Sequence, residues 1–230
     1  VTYSVSGAIE NSAQVVKQKL FDLASDHFEV SPDDLEIQEG IVQVKGSPDH
    51  AISIGDLAGM AESRLGGPGP IMGEGQSAMD VNAPGFVVHL AKVAIDPDTG
   101  QVDLKQYVAI QDVGFALNPM MVEGQIHGGA VQGIGMGLHE ALIYDETGQL
   151  LTGSFMDYDL PKINTVPNIE TIMIQNPSAK GPFGARGVGE PPIIPGTAAI
   201  ANAIKDAIGV RISQVPILTE MVWEALQEKQ

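Results

Sequence analysis

The spacing of apolar residues predicts two helices in the first third of the chain. Four apolar residues recur at helical spacing and would share one face: Ala13, Val16, Leu20 and Leu23. We therefore predict a helix over residues 12–24, with Asn11 or Ser12 as its N-cap. A second, short helix is predicted from Ser53, because Asp56 follows it at the spacing of a capping box.

Three further helices are predicted in the rest of the chain. Asn118, followed by proline, is suited to cap a helix over residues 119–138. An alanine-rich helix is predicted over residues 197–208, where Gly209 would end it. The apolar pattern of residues 219–227 predicts a final amphipathic helix.

Alternating apolar and polar residues predict three β-hairpins between these helices. The first spans residues 35–44 and turns at the sequence EG. The second pairs residues 86–95 with residues 101–110 across the turn sequence DPDTG, and the third spans residues 141–151 around DETG. Mixed sheets and a few helices predict the α+β class rather than a doubly wound sheet.

A long loop separates the two halves of this pattern. Residues 65–85 are too rich in glycine and proline for regular structure, so we place a soft boundary between two lobes there. Residues 1–230 are otherwise expected to form one domain. The chain begins with Val1 rather than methionine, which suggests that it is part of a longer product.

Charge and composition narrow the classes of function. Lysine and arginine number 12 against 29 acidic residues, so the net charge of −17 disfavours nucleic acid and anionic membranes as partners. The absence of cysteine excludes disulfides, thiolate metal sites and a thiol nucleophile, so redox chemistry would need a cofactor. No long apolar run and no basic-then-apolar leader is present, and we expect a cytoplasmic protein.

The sequence GPFGARGVGEPPIIPG contains the strongest candidate for a catalytic group. Glu190 follows Gly187 and Gly189 and precedes Pro191 and Pro192, so small and ring-locked neighbours would hold its carboxylate at a fixed angle. A solvated surface turn is the alternative. Apolar neighbours on both sides favour a buried loop, in which the pKa of the glutamate would rise toward the value of a general base.

The predicted helix over residues 119–138 contains two glycine stripes. Glycines recur four residues apart at positions 124 and 128 and again at 129, 133 and 137. Such stripes accept either a closely packed backbone or a flat ligand, and both interpretations stay open. Gln125 and Gln132 are suited to hydrogen-bond a heteroaromatic ligand. His127 and His139 are too far apart for a metal pair, so no metal ligand is predicted.

The first ten residues contain a third candidate site. Ser4 and Ser6 would precede a helix, where hydroxyls and free amides bind phosphate without a cationic side chain. An ordinary capping segment is the alternative. No GxSxG, HExxH or Walker sequence is present, which disfavours hydrolases and nucleotidases.

Three stretches together resemble one family: SVSGAIENS, DVGFALNPMMVEGQIHGGAVQGIG and ARGVGEPPIIPGTAAIANAI. They are similar to the C-terminal part of the molybdopterin-binding large subunit of the xanthine dehydrogenase and aldehyde oxidase family. The resemblance implies that Glu190 is the base, that Gln125 and Gly189 lie at the cofactor, and that Ser4 and Ser6 contact the pterin.

The resemblance also implies a reaction and a set of partners. The reaction would hydroxylate a purine-like N-heterocycle or an aldehyde with water as the oxygen source, using molybdenum-molybdopterin with or without a cytosine dinucleotide. The N-terminal part of the same subunit would complete the site, and 2Fe-2S and FAD would be bound by other domains or subunits of an oligomer. The chain alone would then be inactive. The alternative is a non-catalytic assembly module that needs a separate partner chain.

Overall fold

The computed structural model describes residues 2–63, 67–78 and 82–228, which divide into two compact units, Val1–Asp80 and Val81–Gln230. Parts of the predicted loop over residues 65–85 lie outside the described residues. Its described parts contain no helix or strand. Each unit combines helices with a three-stranded sheet, which confirms the α+β class. Within the described residues, no helix is long and apolar enough to cross a membrane.

The first unit combines two helices with a three-stranded antiparallel sheet. Its elements are α1 (Thr2–Phe28), β1 (Leu35–Gln38), β2 (Ile41–Val44), β3 (Ser47–Ser53) and α2 (Ile54–Ala61). The hairpin of β1 and β2 is confirmed. The short helix from Ser53 is confirmed as well, with Ser53 as its N-cap, because the Ser53 hydroxyl accepts from the Asp56 backbone amide at 3.0 Å and donates to the Asp56 carboxylate at 2.7 Å. Leu20, Leu35 and Leu57 are buried at the centre of this unit.

The predicted start of the first helix is wrong, because α1 begins ten residues before the expected cap. The two candidate capping residues form tertiary contacts instead. The side-chain amide of Asn11 donates to the backbone carbonyl of Gln76 at 2.7 Å, and the Ser12 hydroxyl donates to the backbone carbonyl of Gly73 at 2.9 Å. These side chains therefore bind the loop that follows α2, and the helix continues through them.

The second unit packs three helices with a three-stranded sheet. Its elements are β4 (Phe86–Ile95), β5 (Val102–Asp112), α3 (Pro119–Leu138), β6 (Ile169–Ile174), α4 (Gly196–Ile208) and α5 (Thr219–Gln227). Strand β5 is central, antiparallel to β4 and parallel to β6. Tyr107 and Ala109 of β5 are buried with Ile126 and Ile134 of α3 and Ile200 of α4.

Local sequence signals are confirmed at the ends of these helices. The Asn118 side chain accepts from the Met121 amide at 3.2 Å, as expected of the N-cap of α3. Gly209 ends α4 with a φ of +79°. The predicted hairpin over residues 141–151 forms in part: the chain reverses at the predicted turn and Tyr144 forms an antiparallel bridge with Leu150, but the flanking residues do not form regular strands. The Asp145 carboxylate folds the turn onto itself by accepting from Thr147 and Gln149.

Candidate functional site

The segment before Glu190 is bound to the end of the central strand. Immediately after β5, Gly114 forms an antiparallel bridge with Ala185. The Phe115 amide donates to the Gly184 carbonyl at 2.9 Å, and the Arg186 amide donates to the Val113 carbonyl at 3.0 Å. Two backbone hydrogen bonds thus fix the chain four residues before the glutamate.

An ion pair reinforces this attachment. Arg186 Nε lies 3.3 Å from Asp112 Oδ2, and the two side chains are only 12% and 11% exposed. The guanidinium also donates to the carbonyls of Pro84 at 2.6 Å and Asn176 at 3.4 Å. The other oxygen of Asp112 accepts from the amides of Gly114 and Asn176. One arginine and one aspartate therefore connect the segment to β5 and to two further stretches of chain.

A buried amide makes the last contact before the candidate site. Gln111 is 1% exposed, and its Nε2 donates to the Gly187 carbonyl at 3.4 Å. Its Oε1 is buried without a hydrogen-bond partner among the described residues. The sequence interpretation missed Gln111, Asp112 and Arg186. A signal was present, because the apolar strand ends abruptly in the polar pair QD.

The segment after Glu190 rests on one of the glycine stripes of α3. A Cβ on Gly129 would lie 2.7 Å from Pro192 Cβ, and one on Gly133 would lie 2.9 Å from the Ile193 carbonyl oxygen. The close-packing interpretation is therefore confirmed for this stripe. A Cβ on Gly124 or Gly128 would meet no heavy atom within 4 Å among the described residues.

Gln125 and Gly189 lie beside each other between these two attachments. Gln125 Oε1 is 3.4 Å from the position that a Cβ on Gly189 would occupy. Both residues are exposed, and Glu190 follows as the residue that begins a short 3-10 turn over Pro191–Ile193. The structure thus brings together the amide at position 125 and the backbone next to the predicted base.

The expected burial of Glu190 is wrong for this chain, because the residue is exposed. The flanking apolar residues contact the core on one side only. Pro192 is buried against α3, whereas Val188 is half-buried and Ile194 is 71% exposed. Glu190 therefore lies on the solvent side of a loop whose other side is packed.

The two N-terminal serines lie in the first unit, inside α1 rather than before it. Ser4 is exposed in the first turn, whereas Ser6 is buried in the second. Residues two apart on a helix point to different sides. Of these two serines, Ser4 is the one open to a ligand, and contact of either serine with a cofactor stays a prediction.

The histidines of the glycine-rich helix have structural partners. His127 Nε2 lies 3.3 Å from the Ile169 carbonyl oxygen, and His139 Nδ1 lies 2.8 Å from Asp159 Oδ2. Gln132 is exposed. Among the described residues, no three His, Cys, Asp or Glu side chains cluster in a way that would hold a metal ion.

Two titratable side chains pair in the core of the second unit, away from the loop that contains Glu190 in the chain. His89 of β4 and Tyr107 of β5 are buried, and His89 Nδ1 lies 2.7 Å from the tyrosine oxygen. Burial lowers the pKa of His89 to about 4 and raises the pKa of Tyr107 above its ordinary value. Both side chains are therefore neutral near pH 7, and they pair with each other inside the core.

Comparison with known families identifies the class of this fold. A family model described as a molybdopterin cofactor-binding domain matches residues 1–167, well over half of the chain. The chain belongs to this family. The stretch that contains Glu190 follows the matched residues, but relatives that span nearly the whole chain cover it.

Those relatives are named as subunits of a dehydrogenase complex and of a hydroxylase. The chain is 38% identical, over 98% of its length, to the gamma subunit of a 6-hydroxypseudooxynicotine dehydrogenase complex of Paenarthrobacter nicotinovorans. It is 37% identical, over 95% of its length, to the nicotine 6-hydroxylase large subunit of the same organism. These matches cover 29% and 28% of the relatives, so the chain spans less than a third of their length.

Solved structures agree with this assignment. Quinoline 2-oxidoreductase from Pseudomonas putida 86 superimposes with a TM-score of 0.81 at 32% identity, covering 94% of this chain and 28% of that one. A Cu,Mo-CO dehydrogenase superimposes with a TM-score of 0.82 at 30% identity, covering 99% and 29%. The fold is that of the molybdenum-binding subunits of molybdenum hydroxylases.

Proposed function

We propose that this chain supplies the base and part of the cofactor site of a molybdenum-dependent hydroxylase that uses water as its oxygen source. The observation that carries the proposal is the arrangement at Glu190. Its loop is attached on one side to β5 and on the other to α3, and Gln125 lies against the preceding residue. A carboxylate held beside an amide at an exposed edge is suited to proton transfer to a bound ligand.

The residues present fit a molybdopterin cofactor. Gly189 carries no side chain where Gln125 approaches, so a ligand reaches backbone and amide together. The described residues do not form a metal cluster, which fits a metal that is carried on the cofactor's own ligands. When bound, the cofactor supplies the two-electron oxidation, while the protein orients it and moves the proton.

Glu190 is the proton acceptor in this proposal. A positioned base contributes roughly 10²- to 10⁴-fold in rate, and its ionised form must be available near neutral pH. Gln125 serves as a hydrogen-bonding group to the cofactor, through an amide that both donates and accepts. Of the two N-terminal serines, we assign Ser4 to a phosphate or pterin contact, because it is exposed in the first turn of α1.

The substrate class is proposed to be an N-heterocycle rather than an aldehyde. Nicotine and quinoline, which appear in the names of a relative and of a structural neighbour, both contain a nitrogen heteroaromatic ring. The remaining part of a large subunit, with iron-sulfur and FAD subunits, is the proposed set of partners, because the chain spans less than a third of its relatives. We place the assembled enzyme in the cytoplasm.

The test is the substitution Glu190→Gln in the assembled enzyme. We expect unchanged molybdenum and pterin content and a loss of turnover of about 10²-fold or more with nicotine, quinoline or hypoxanthine as trial substrates. Glu146→Gln is the matched control, because Glu146 is an exposed glutamate in a turn of the same unit. Normal turnover of the Glu190→Gln enzyme would contradict the assigned role.

Metal analysis separates this proposal from the non-catalytic assembly module. The chain is co-expressed with the remainder of its large subunit, and molybdenum and pterin are measured in the purified complex. About one molybdenum per complex is expected of a hydroxylase. A complex that assembles without molybdenum would favour the assembly module and reject the enzyme.

A further inference from the structure

We infer that Arg186 and Asp112 form a positioning pair for Glu190, and that Gln111 extends their action to Gly187. This inference rests on the proposed function of Glu190 and adds three residues to it. None of the three is assigned as a contact to cofactor or substrate. They act through the backbone of residues 184–190.

The first step concerns how the loop is held. Downstream of Glu190, Pro192 and Ile193 lie against Gly129 and Gly133, so this end is fixed by packing. Upstream, two backbone hydrogen bonds among the described residues attach residues 184–186 to the chain that follows β5. Val188 packs against the core at this end, and the Arg186–Asp112 pair, the two Arg186 hydrogen bonds and the Gln111 amide add polar side-chain contacts. The angle at which the carboxylate is presented therefore depends on them.

The second step concerns the availability of Arg186. A cation four residues before a catalytic carboxylate is a natural candidate for binding an anionic substrate. Its Nη1 and Nη2 instead donate to two carbonyl oxygens, and its Nε lies 3.3 Å from the Asp112 carboxylate as an ion pair without a hydrogen bond. The side chain is only 12% exposed. An arginine with its fork occupied in this way fixes backbone rather than ligand.

The third step concerns why this attachment affects rate. Proton transfer requires heavy atoms within hydrogen-bond reach, and a misplacement of about 1 Å can cost about 100-fold. Lysine at position 186 would keep a positive charge for Asp112 but would lose the planar fork that hydrogen-bonds two carbonyl oxygens. The Arg186→Lys substitution should thus slow the catalytic step more than it weakens substrate binding.

The experiment uses the assembled enzyme with Arg186→Lys, and Gln111→Met as a second variant that leaves the ion pair intact. With the trial heterocycle that the unaltered enzyme oxidises fastest, we expect kcat to fall about 10- to 100-fold. We expect KM and molybdenum content to stay within about twofold. Arg211→Lys is the control, because Arg211 is exposed and its guanidinium donates to the Asn202 side chain of α4, away from residues 184–190 in the chain. An unchanged kcat in both test variants would overturn the inference.

A double-substitution cycle separates positioning from general damage. If Arg186 acts through Glu190, adding Arg186→Lys to Glu190→Gln should slow substrate-driven reduction of the enzyme by less than about threefold further. Multiplication of the two single losses would overturn the inference. Full activity of Glu190→Gln would instead reject the proposed function, so the two failures are distinguishable.

A readout without catalysis completes the test. Hydrogen exchange is measured by mass spectrometry on peptides covering residues 184–190 and, as reference, residues 219–227 of α5. Arg186→Lys should speed exchange in the first peptide, which contains the Arg186 amide bonded to Val113, and leave the second unchanged. Equal exchange of residues 184–190 in both proteins would show that the pair does not hold the loop and would overturn the inference.

Discussion

The same substitution should have opposite effects at two glycines of α3. Gly124→Ala adds a methyl group where no heavy atom lies within 4 Å, so the higher helix propensity of alanine should stabilise the second unit by about 0.5–1 kcal/mol. Gly133→Ala has the same propensity gain. Its Cβ would lie 2.9 Å from the Ile193 carbonyl oxygen and 3.1 Å from Gly196 Cα, backbone atoms that cannot rotate away. Overpacking of this kind costs about 1–3 kcal/mol, so we expect a net destabilisation of up to about 2 kcal/mol.

Urea unfolding followed by tryptophan fluorescence measures this difference. The chain contains one tryptophan, Trp223 in α5, so the signal reports on the second unit. With a slope of about 2 kcal/mol per molar urea, the midpoints of the two variants should differ by roughly 1 M. Stabilisation of similar size by both substitutions would refute the packing of α3 against residues 192–196.

Two further predictions concern the same unit. The folded pKa of His89, about 4, lies below its unfolded value of 6.5, so the unfolded chain binds the proton first. The contribution of His89 to the free energy of unfolding should be fully present above pH 6.5 and should fall by up to about 3 kcal/mol as the pH drops to 4. In urea titrations at several pH values, His89→Gln should remove this part of the pH dependence. A slope that survives His89→Gln would assign it to other groups. Gly209→Ala places a side chain at a φ of +79°, and a loss of about 1 kcal/mol in the same assay is expected. An unchanged midpoint would contradict the left-handed cap.

Helix ends and hairpins were predictable where a short stretch of sequence decides them. Asn118 before proline, Gly209 after an alanine-rich run and Ser53 three residues before Asp56 each act within one turn of chain. The errors occur where distant contacts decide. Ser12 is a good cap by residue type, but its hydroxyl binds the Gly73 carbonyl, 61 residues away.

Strands that depend on non-local pairing escaped prediction. Strand β6 pairs in parallel with β5, and the two are separated by helix α3 and a long irregular stretch. The alternation in its sequence IETIMI is visible, but its partner is not adjacent in the chain. Strand β3 was missed as well, although it directly follows β2.

The candidate site was predictable in part. The resemblance of two motifs assigned Gln125 and Gly189 to one place, and the structure brings these two residues together. The contacts of Gln111 and Asp112 with residues 186 and 187 join positions more than 70 residues apart, and periodicity carries no information about such pairs. The exposure of Glu190 was also beyond sequence, because apolar neighbours show that a loop has a packed side but not which side a given residue takes.

The attachment of the Glu190 loop at both ends limits how the protein can change its chemistry. A carboxylate on a loop attached at both ends cannot shift to suit ligands of different size or shape, so each ligand must bind in a position that suits the carboxylate. Altered substrate selectivity would then arise from substitutions on the surfaces that face this loop, while residues 184–193 keep the same conformation.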